Sequence, residues 1–248
     1  MTLYEKTWQA VRERIASAAV AAGRDPASVS ILAVSKTQPP EAIRAAHGLG
    51  QRAFGENYVQ EALDKMRALD ALPDLEWHLI GPLQGNKARA AAAHFAWVQS
   101  VDRLAIAHRL SAARAEGRGA LNVCVQVNIS GEPSKSGCVP GEALDLAHAV
   151  AQLPRLAFRG FMGIAAETAD AALQRAQFRG LRLLQDRARE AGLVADTLSM
   201  GMTADLESAI AEGATMVRIG SALFGPRLPR RIGKVGAGMS DTGDSGND

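Results

Sequence analysis

The chain opens with a helical pattern and continues as short apolar runs that alternate with longer amphipathic stretches. Gly23 is a stop signal for the first helix, whose apolar face is formed by Trp8, Val11, Ile15, Ala18 and Ala22. Eight apolar or β-branched runs follow, from "SILAVS" near the N-terminus to "TMVRIG" near residue 220, and stretches rich in Ala, Leu and Arg separate them. Such alternation predicts βαβ units and a parallel sheet.

Eight strand–helix units in 248 residues favour a closed (β/α)8 barrel, with the first helix as an extra element in front. An open doubly wound sheet is the alternative, but the chain carries neither a dinucleotide-binding glycine motif nor a P-loop. We predict one barrel domain over residues 1–228. Residues 229–248 are rich in Gly, Ser and Asp without apolar periodicity, so we predict a disordered polar tail.

Composition and charge narrow the classes of function. The chain is 47% hydrophobic, enough for a full core, and its net charge of +2 is spread among acids rather than concentrated in runs. Nucleic acid binding is therefore not indicated. Apolar runs are too short to span a membrane, and Glu5 and Arg12 interrupt any signal peptide. We expect a cytoplasmic protein, and we expect no metal site because Cys124 and Cys138 form no cluster.

Functional side chains of a (β/α)8 barrel gather where the strands end. The first strand, Ile31 to Val34, ends on Ser35 and Lys36. Apolar surroundings there would disfavour the ammonium form of Lys36 and lower its pKa, and a neutral amine is a Schiff-base nucleophile. The alternative is a lysine at a strand-to-loop junction with its ammonium group in water.

The last two strands carry a pattern typical of a phosphate site. Ser199 ends the seventh strand, Thr203 can cap the helix that follows it, and Gly220 and Ser221 open the short stretch "SALFG". Backbone N–H groups at two helix starts, together with hydroxyl groups, would bind an anion, and barrels often bind phosphate after strands seven and eight. Either half alone is more typical of ordinary helix caps and a glycine turn, but the two halves together, at the expected strands, favour phosphate.

Three other polar residues near strand ends have two interpretations each. Arg218 would point into the same mouth, or it would pair with a carboxylate. Asn57 is either a binding residue or a helix N-cap. His78 is more typical of a hydrogen-bonded histidine at the core edge than of an acid or base.

Several motifs occur in the order found in a known family. The chain resembles the YggS/PROSC family of pyridoxal phosphate (PLP) homeostasis proteins over roughly residues 3–228, in "AVSKTQP", "FGENYVQE", "WHLIGPLQGNK", "VNISGEPSKSG" and "LSMGMTADLESAI…RIGSALFG". The resemblance implies a single barrel similar to the N-terminal domain of alanine racemase, fold type III among PLP proteins, with pyridoxal 5'-phosphate as its cofactor.

The resemblance also implies roles for individual residues. Lys36 would hold PLP as a Schiff base, Asn57 would lie near the ring, and Arg218 would face the pyridine nitrogen. Thr203 stands where the family commonly has serine, which keeps the hydroxyl, and the loop after Met162 lacks a proline that many members have, which leaves its shape open. The phosphate would be bound by Ser199, Thr203, Gly220 and Ser221.

An arginine opposite the pyridine nitrogen disfavours its protonation, and an unprotonated ring is a weaker electron sink. Racemases of this fold, as the resemblance implies, add a tyrosine base from a second domain, for which we expect no room here; Tyr4 and Tyr58 are the only tyrosines. We therefore favour a PLP-binding protein of vitamin B6 homeostasis without robust turnover, monomeric, with apo PLP-dependent enzymes as candidate recipients. A PLP-dependent racemase or lyase is the alternative, and a cofactor-free Schiff-base aldolase is a third hypothesis.

Overall fold

The apolar runs all form strands, and the strands close into a parallel barrel. The strands of the computed structural model, which describes residues 3–225, are β1 (Ser30–Val34), β2 (Ala53–Glu56), β3 (Glu76–Leu79), β4 (Trp97–Val101), β5 (Leu121–Val127), β6 (Leu156–Gly163), β7 (Thr197–Ser199) and β8 (Met216–Ile219). Neighbours in the chain are neighbours in the barrel. Ala33 of β1 pairs with Phe54 of β2 and with Ile219 of β8, so the sheet has no open edge.

Helices connect the strands on the outside of the barrel. Within the described residues they are α1 (Leu3–Ala21), α2 (Pro40–Gly48), α3 (Val59–Ala68), α4 (Ala88–His94), α5 (Leu104–Ala113), α6 (Ala143–Ala151), α7 (Ala171–Glu190), α8 (Leu206–Ala211) and α9 (Ser221–Phe224). α1 precedes the barrel and packs beside α9, where the ring centroids of Trp8 and Phe224 lie 6.1 Å apart. The predicted (β/α)8 barrel with an extra N-terminal helix is confirmed, and the open sheet is not formed.

Two apolar clusters fill the barrel wall and its interior. The larger cluster lies between strands and helices, as with Val98 of β4 and Ile106 of α5. A smaller cluster joins Trp97, Cys124 and Met162 of β4, β5 and β6. Because successive strand residues point to opposite faces, these three side chains belong to the inward face. The barrel interior therefore has its own apolar layer, and polar side chains continue from it toward the strand ends.

The two ends of the chain lie outside the description. The predicted polar tail, residues 229–248, is not among the described residues, so it and the domain boundary stay predictions. Among the described helices, none combines the length and apolar character that a membrane span requires. Over residues 3–225, no group of three or more His, Cys, Asp or Glu side chains is arranged to bind a metal ion.

Candidate functional site

A cavity of about 280 Å³ opens where β1, β2 and β8 end. Functional residues of (β/α)8 barrels gather at this end, where the strands finish. Its polar lining includes six of the seven predicted site residues, namely Lys36, Asn57, Thr203, Arg218, Gly220 and Ser221. Val34, Ile80, Ile164 and Met202 add apolar walls. Residues more than 160 positions apart in the chain thus meet at one site.

The described lining of this cavity carries only positive charge. Among the described residues that line the cavity, Lys36 and Arg218 are cations and none is an acid. Asn57, Gln38 and hydroxyl groups add neutral hydrogen-bonding capacity. A cavity with two cations and no carboxylate attracts an anion.

Lys36 lies in a tight turn directly after β1. The Ser35 N–H still donates to the Gly55 carbonyl at 3.0 Å, which extends the pairing with β2 by one residue. The Gln38 N–H then donates back to the Ser35 carbonyl at 3.0 Å, and Thr37 between them has a positive φ of 64°. This turn ends the strand at the cavity and leaves Lys36 half-buried in its wall rather than extended over the surface.

Arg218 of β8 is buried beneath the cavity without a carboxylate hydrogen-bonded to it. Its Nη1 donates to the Ser199 Oγ at 2.9 Å and its Nη2 donates to the Gly163 carbonyl at 2.9 Å. Burial lowers the pKa of Arg218 to about 10, an effect that the charge of Asp205 partly offsets. The guanidinium is therefore still a cation at neutral pH, and its partners are neutral oxygens. Over residues 3–225, the alternative of an Arg218–carboxylate pair is therefore not formed.

Ser199 lies behind Arg218 rather than in the cavity lining. Its side chain is fully buried, and its Oγ donates to the Gln99 Oε1 at 2.6 Å while accepting from Arg218. Gln99 Nε2 lies 2.9 Å from His78 Nδ1, and His78 Nε2 lies 2.7 Å from Glu76 Oε1. A hydrogen-bonded row thus runs from Glu76 through the barrel interior to the cavity. Its effect on Arg218 is to fix the guanidinium in one orientation.

His78 has the structural role that its position predicts. It is fully buried and stacks on Trp97 with ring centroids 5.1 Å apart and planes 7° from parallel. Burial lowers the pKa of His78, and the hydrogen bond that His78 donates to Glu76 only partly opposes this shift. The ring is therefore neutral, and it accepts from Gln99 through Nδ1 while donating to Glu76 through Nε2.

Neither Asn57 nor Thr203 caps the helix that follows it. α3 begins at Val59 with Tyr58 in the cap position, so Asn57 lies outside the helix and lines the cavity instead. α8 begins at Leu206 with Asp205 in the cap position, so the expectation that Thr203 caps this helix is wrong. The Asp205 Oδ1 accepts from the Met202 N–H at 2.6 Å and closes the loop that presents Thr203.

Glycines allow the strand-end loops to approach closely. A Cβ on Gly81 would lie 2.2 Å from the Asn57 carbonyl oxygen, so only glycine lets the loop after β3 pass against Asn57. Gly201 has a φ of 91°, and a Cβ there would lie 2.5 Å from the Ala209 Cβ. Gly220 occupies the cap position of α9, with Ser221 as its first residue, as predicted.

Sequence reasoning missed several lining residues and the row behind Arg218. Ile80 directly follows β3, and Ile164 directly follows β6. Functional residues of a barrel lie where the strands end, so this rule would have indicated both residues if it had also been applied to apolar side chains. Gln99 gives a weaker signal, as a polar residue inside an apolar strand. The sequence leaves open the shape of the loop after Met162. In the structure the Gly163 carbonyl accepts a hydrogen bond from Arg218, and Ile164 lies in the cavity wall.

Comparison with known proteins identifies the family. The model of the family "Alanine racemase, N-terminal domain" matches residues 8–228. The chain belongs to this family. A relative from Pseudomonas aeruginosa named pyridoxal phosphate homeostasis protein is 60% identical over 218 residues, covering 88% of this chain and 93% of its own. The Escherichia coli K12 protein of the same name is 49% identical over 219 residues, covering 88% and 94%.

A solved structure of 42% sequence identity has the same fold. PipY of Synechococcus elongatus, solved with PLP bound, is 42% identical with a TM-score of 0.74 and covers 87% of this chain and all of its own. The resemblance to PLP homeostasis proteins found in the sequence motifs is therefore confirmed. The barrel is that of the family.

Proposed function

We propose that this chain binds PLP as a Schiff base on Lys36 and takes part in PLP homeostasis without robust catalytic turnover. The observation that carries the proposal is the cavity at the strand ends, which Lys36 and Arg218 line and to which no described residue contributes an acidic side chain. An amine can form a Schiff base with an aldehyde, and a positively charged cavity attracts a phosphate group. PLP contains both groups.

The chemistry of the lining fits each part of PLP. The Lys36 amine would add to the aldehyde carbon and release water, which leaves a reversible C=N bond. The hydroxyl groups of Thr203 and Ser221 and the backbone N–H groups at the start of α9 would bind the phosphate. Arg218 would face the pyridine nitrogen. Ser199, predicted as a phosphate contact, would instead act by orienting Arg218.

The relatives support the same ligand. Proteins named pyridoxal phosphate homeostasis protein are 49% and 60% identical to this chain over most of their length, and PipY was solved with PLP. That the protein is cytoplasmic and monomeric, and that apo PLP-dependent enzymes receive its PLP, stay predictions from the sequence.

The site gives little support to catalysis. A guanidinium opposite the pyridine nitrogen keeps the ring unprotonated, and such a ring stabilises a carbanion poorly. Neither tyrosine lines the cavity: Tyr4 packs against Phe224 with centroids 6.3 Å apart, and Tyr58 is 54% exposed. A PLP-dependent racemase or lyase is the alternative, and amino-acid turnover that Lys36→Ala abolishes would favour it.

The visible absorption spectrum tests the proposal. Purified protein mixed with PLP should show a visible Schiff-base band, and Lys36→Ala should fold normally but show none. Lys87→Ala is the control, because Lys87 is exposed and does not line the cavity. A colourless wild type would favour the cofactor-free aldolase, while a band that persists in Lys36→Ala would contradict the role of Lys36.

A further inference from the structure

A second lysine is buried directly behind the turn that carries Lys36. Lys65 of α3 is only 5% exposed. Its Nζ donates to the Glu56 Oε1 at 2.7 Å, to the Glu61 Oε1 at 2.8 Å and to the Ser35 carbonyl at 2.7 Å. These three acceptors use the full donor capacity of an ammonium group.

The same cluster contacts both chain neighbours of Lys36. Ser35 is bound twice, since its Oγ donates to the Glu56 Oε1 at 2.6 Å and its carbonyl accepts from Lys65. Thr37 is bound through its backbone, whose N–H donates to the Glu61 Oε1 at 2.6 Å. Thr37 also has a φ of 64°, a conformation unfavourable for a β-branched residue. The surroundings must therefore hold this turn, and the charged cluster is bonded to it on both sides.

Packing stability alone does not account for such a cluster. Buried ion pairs contribute little net stability, and apolar side chains of similar volume serve as well or better. The Glu56 Oε2 is buried without a hydrogen-bond partner among the described residues, and burial raises the pKa of this carboxyl against the opposing effect of Lys65. The cluster is thus costly in free energy, and its bonds are concentrated on Ser35 and Thr37.

We propose that Glu56, Glu61 and Lys65 form a clamp that fixes the Ser35–Thr37 backbone and so positions the Lys36 amine for the PLP aldehyde. This inference rests on the proposed function. The three clamp residues do not line the cavity, so they are positioning residues rather than catalytic ones. Lys65 itself is not the reacting amine, because its three hydrogen bonds are all directed to Glu56, Glu61 and the Ser35 carbonyl.

Glu61→Ala tests the clamp with little risk to the fold, since the Glu61 side chain is 25% exposed. It removes the acceptor of the Thr37 N–H while Lys65 keeps Glu56. Hydrogen exchange of the Thr37 amide, measured without PLP, should accelerate at least about tenfold. The Kd for PLP, measured by titration, should rise about tenfold because the Lys36 amine is no longer held in one geometry.

Two variants serve as controls. Glu61→Gln keeps an oxygen that can accept from Thr37, so it should retain most of the amide protection and most of the affinity. Glu207→Ala is matched to Glu61→Ala, because Glu207 also lies in the first turn of a helix and is ion-paired, with Arg14 at 2.5 Å. Its bonds do not reach the Lys36 turn, so neither Thr37 exchange nor the Kd should change.

The outcomes separate this inference from the proposed function. Faster Thr37 exchange with an unchanged Kd would overturn the positioning role and leave PLP binding intact. An equal rise in Kd for Glu61→Ala and Glu207→Ala would also overturn it, because the effect would then be general destabilisation. A wild-type protein that binds no PLP would overturn the proposed function and, with it, this inference.

Discussion

Lys36 and Lys65 lie close together in the fold but in opposite electrostatic surroundings. Lys36 lines a cavity that it shares with Arg218 and with no acidic side chain among the described residues. Lys65 is enclosed by the carboxyl groups of Glu56 and Glu61. The described lining of the first site has two cations and room for a ligand, and at the second site Lys65 donates to three oxygen acceptors. The charge balance around a lysine therefore indicates its role better than its burial does.

The largest expected effect separates the two lysines by substitution. Lys36→Ala should abolish covalent attachment of PLP, since the reacting amine is removed. Lys65→Met should keep the attachment, because Lys36 remains, but with a Kd raised about tenfold or more since the clamp loses its centre. Visible titration of both variants measures this difference. Loss of the visible Schiff-base band in a folded Lys65→Met protein would contradict the distinction between Lys36 as the reacting amine and Lys65 as a positioning residue.

The positive cavity should bind the phosphate through its hydroxyl groups. Thr203→Val and Ser221→Ala each remove one hydroxyl and leave the backbone in place. Each should raise the Kd for PLP about tenfold, equivalent to about 1.4 kcal/mol, because a hydrogen bond to a charged group is lost. Thr203→Ser is the control that keeps the hydroxyl, and its affinity should match that of the wild type. Unchanged affinity in Thr203→Val and Ser221→Ala would place the phosphate elsewhere.

Reversing the charge at Arg218 should change the cofactor's spectrum while retaining attachment to Lys36. In Arg218→Glu a carboxyl replaces the cation expected at the pyridine nitrogen, so it should favour ring protonation and shift the absorption band. Ser199→Ala, which removes one bond to Arg218, should shift the band less. An unchanged spectrum in a folded Arg218→Glu protein would mean that Arg218 does not face the ring.

The smallest expected effect concerns the charge balance of the clamp. Burial raises the pKa of Glu56 above its ordinary value of 4.5, so the folded state holds this proton more tightly than the unfolded state does. The contribution of Glu56 to the free energy of unfolding is therefore fully present at pH values below its ordinary pKa. It is lost as the pH rises through the raised pKa of the folded state. Glu56→Gln mimics the neutral carboxyl and does not titrate.

The stability of Glu56→Gln relative to wild type should accordingly increase as the pH rises from about 4 to about 7. Urea unfolding of both proteins at several pH values measures the difference in unfolding free energy. A difference that moves in the opposite direction would show that Lys65 outweighs burial and keeps Glu56 ionised.

The fold could be predicted from the sequence because every strand has its own apolar run. Six of the seven site residues also meet as predicted, since strand ends converge on one face of a barrel. Ser199 is different: it ends β7 like a lining residue, but its hydroxyl is taken up by Gln99 and Arg218. Which side chain reaches the cavity depends on partners from other strands, and these are not visible in the spacing.

The clamp could not be predicted for a similar reason. Glu61 and Lys65 are four residues apart on a helix, the spacing of an ordinary surface pair. Only the fold adds Glu56 from β2 and buries the pair behind Ser35. The expected helix cap at Thr203 failed because Asp205, two residues later, occupies that position.

Identification of the lysine that carries PLP tests the central claim most directly. Wild-type protein loaded with PLP would be reduced with borohydride, which makes the Schiff base permanent, and its peptides would be mapped by mass spectrometry. We expect the reduced adduct on Lys36 and an unmodified Lys65. An adduct on Lys65 or on another lysine, with Lys36 unmodified, would contradict the account.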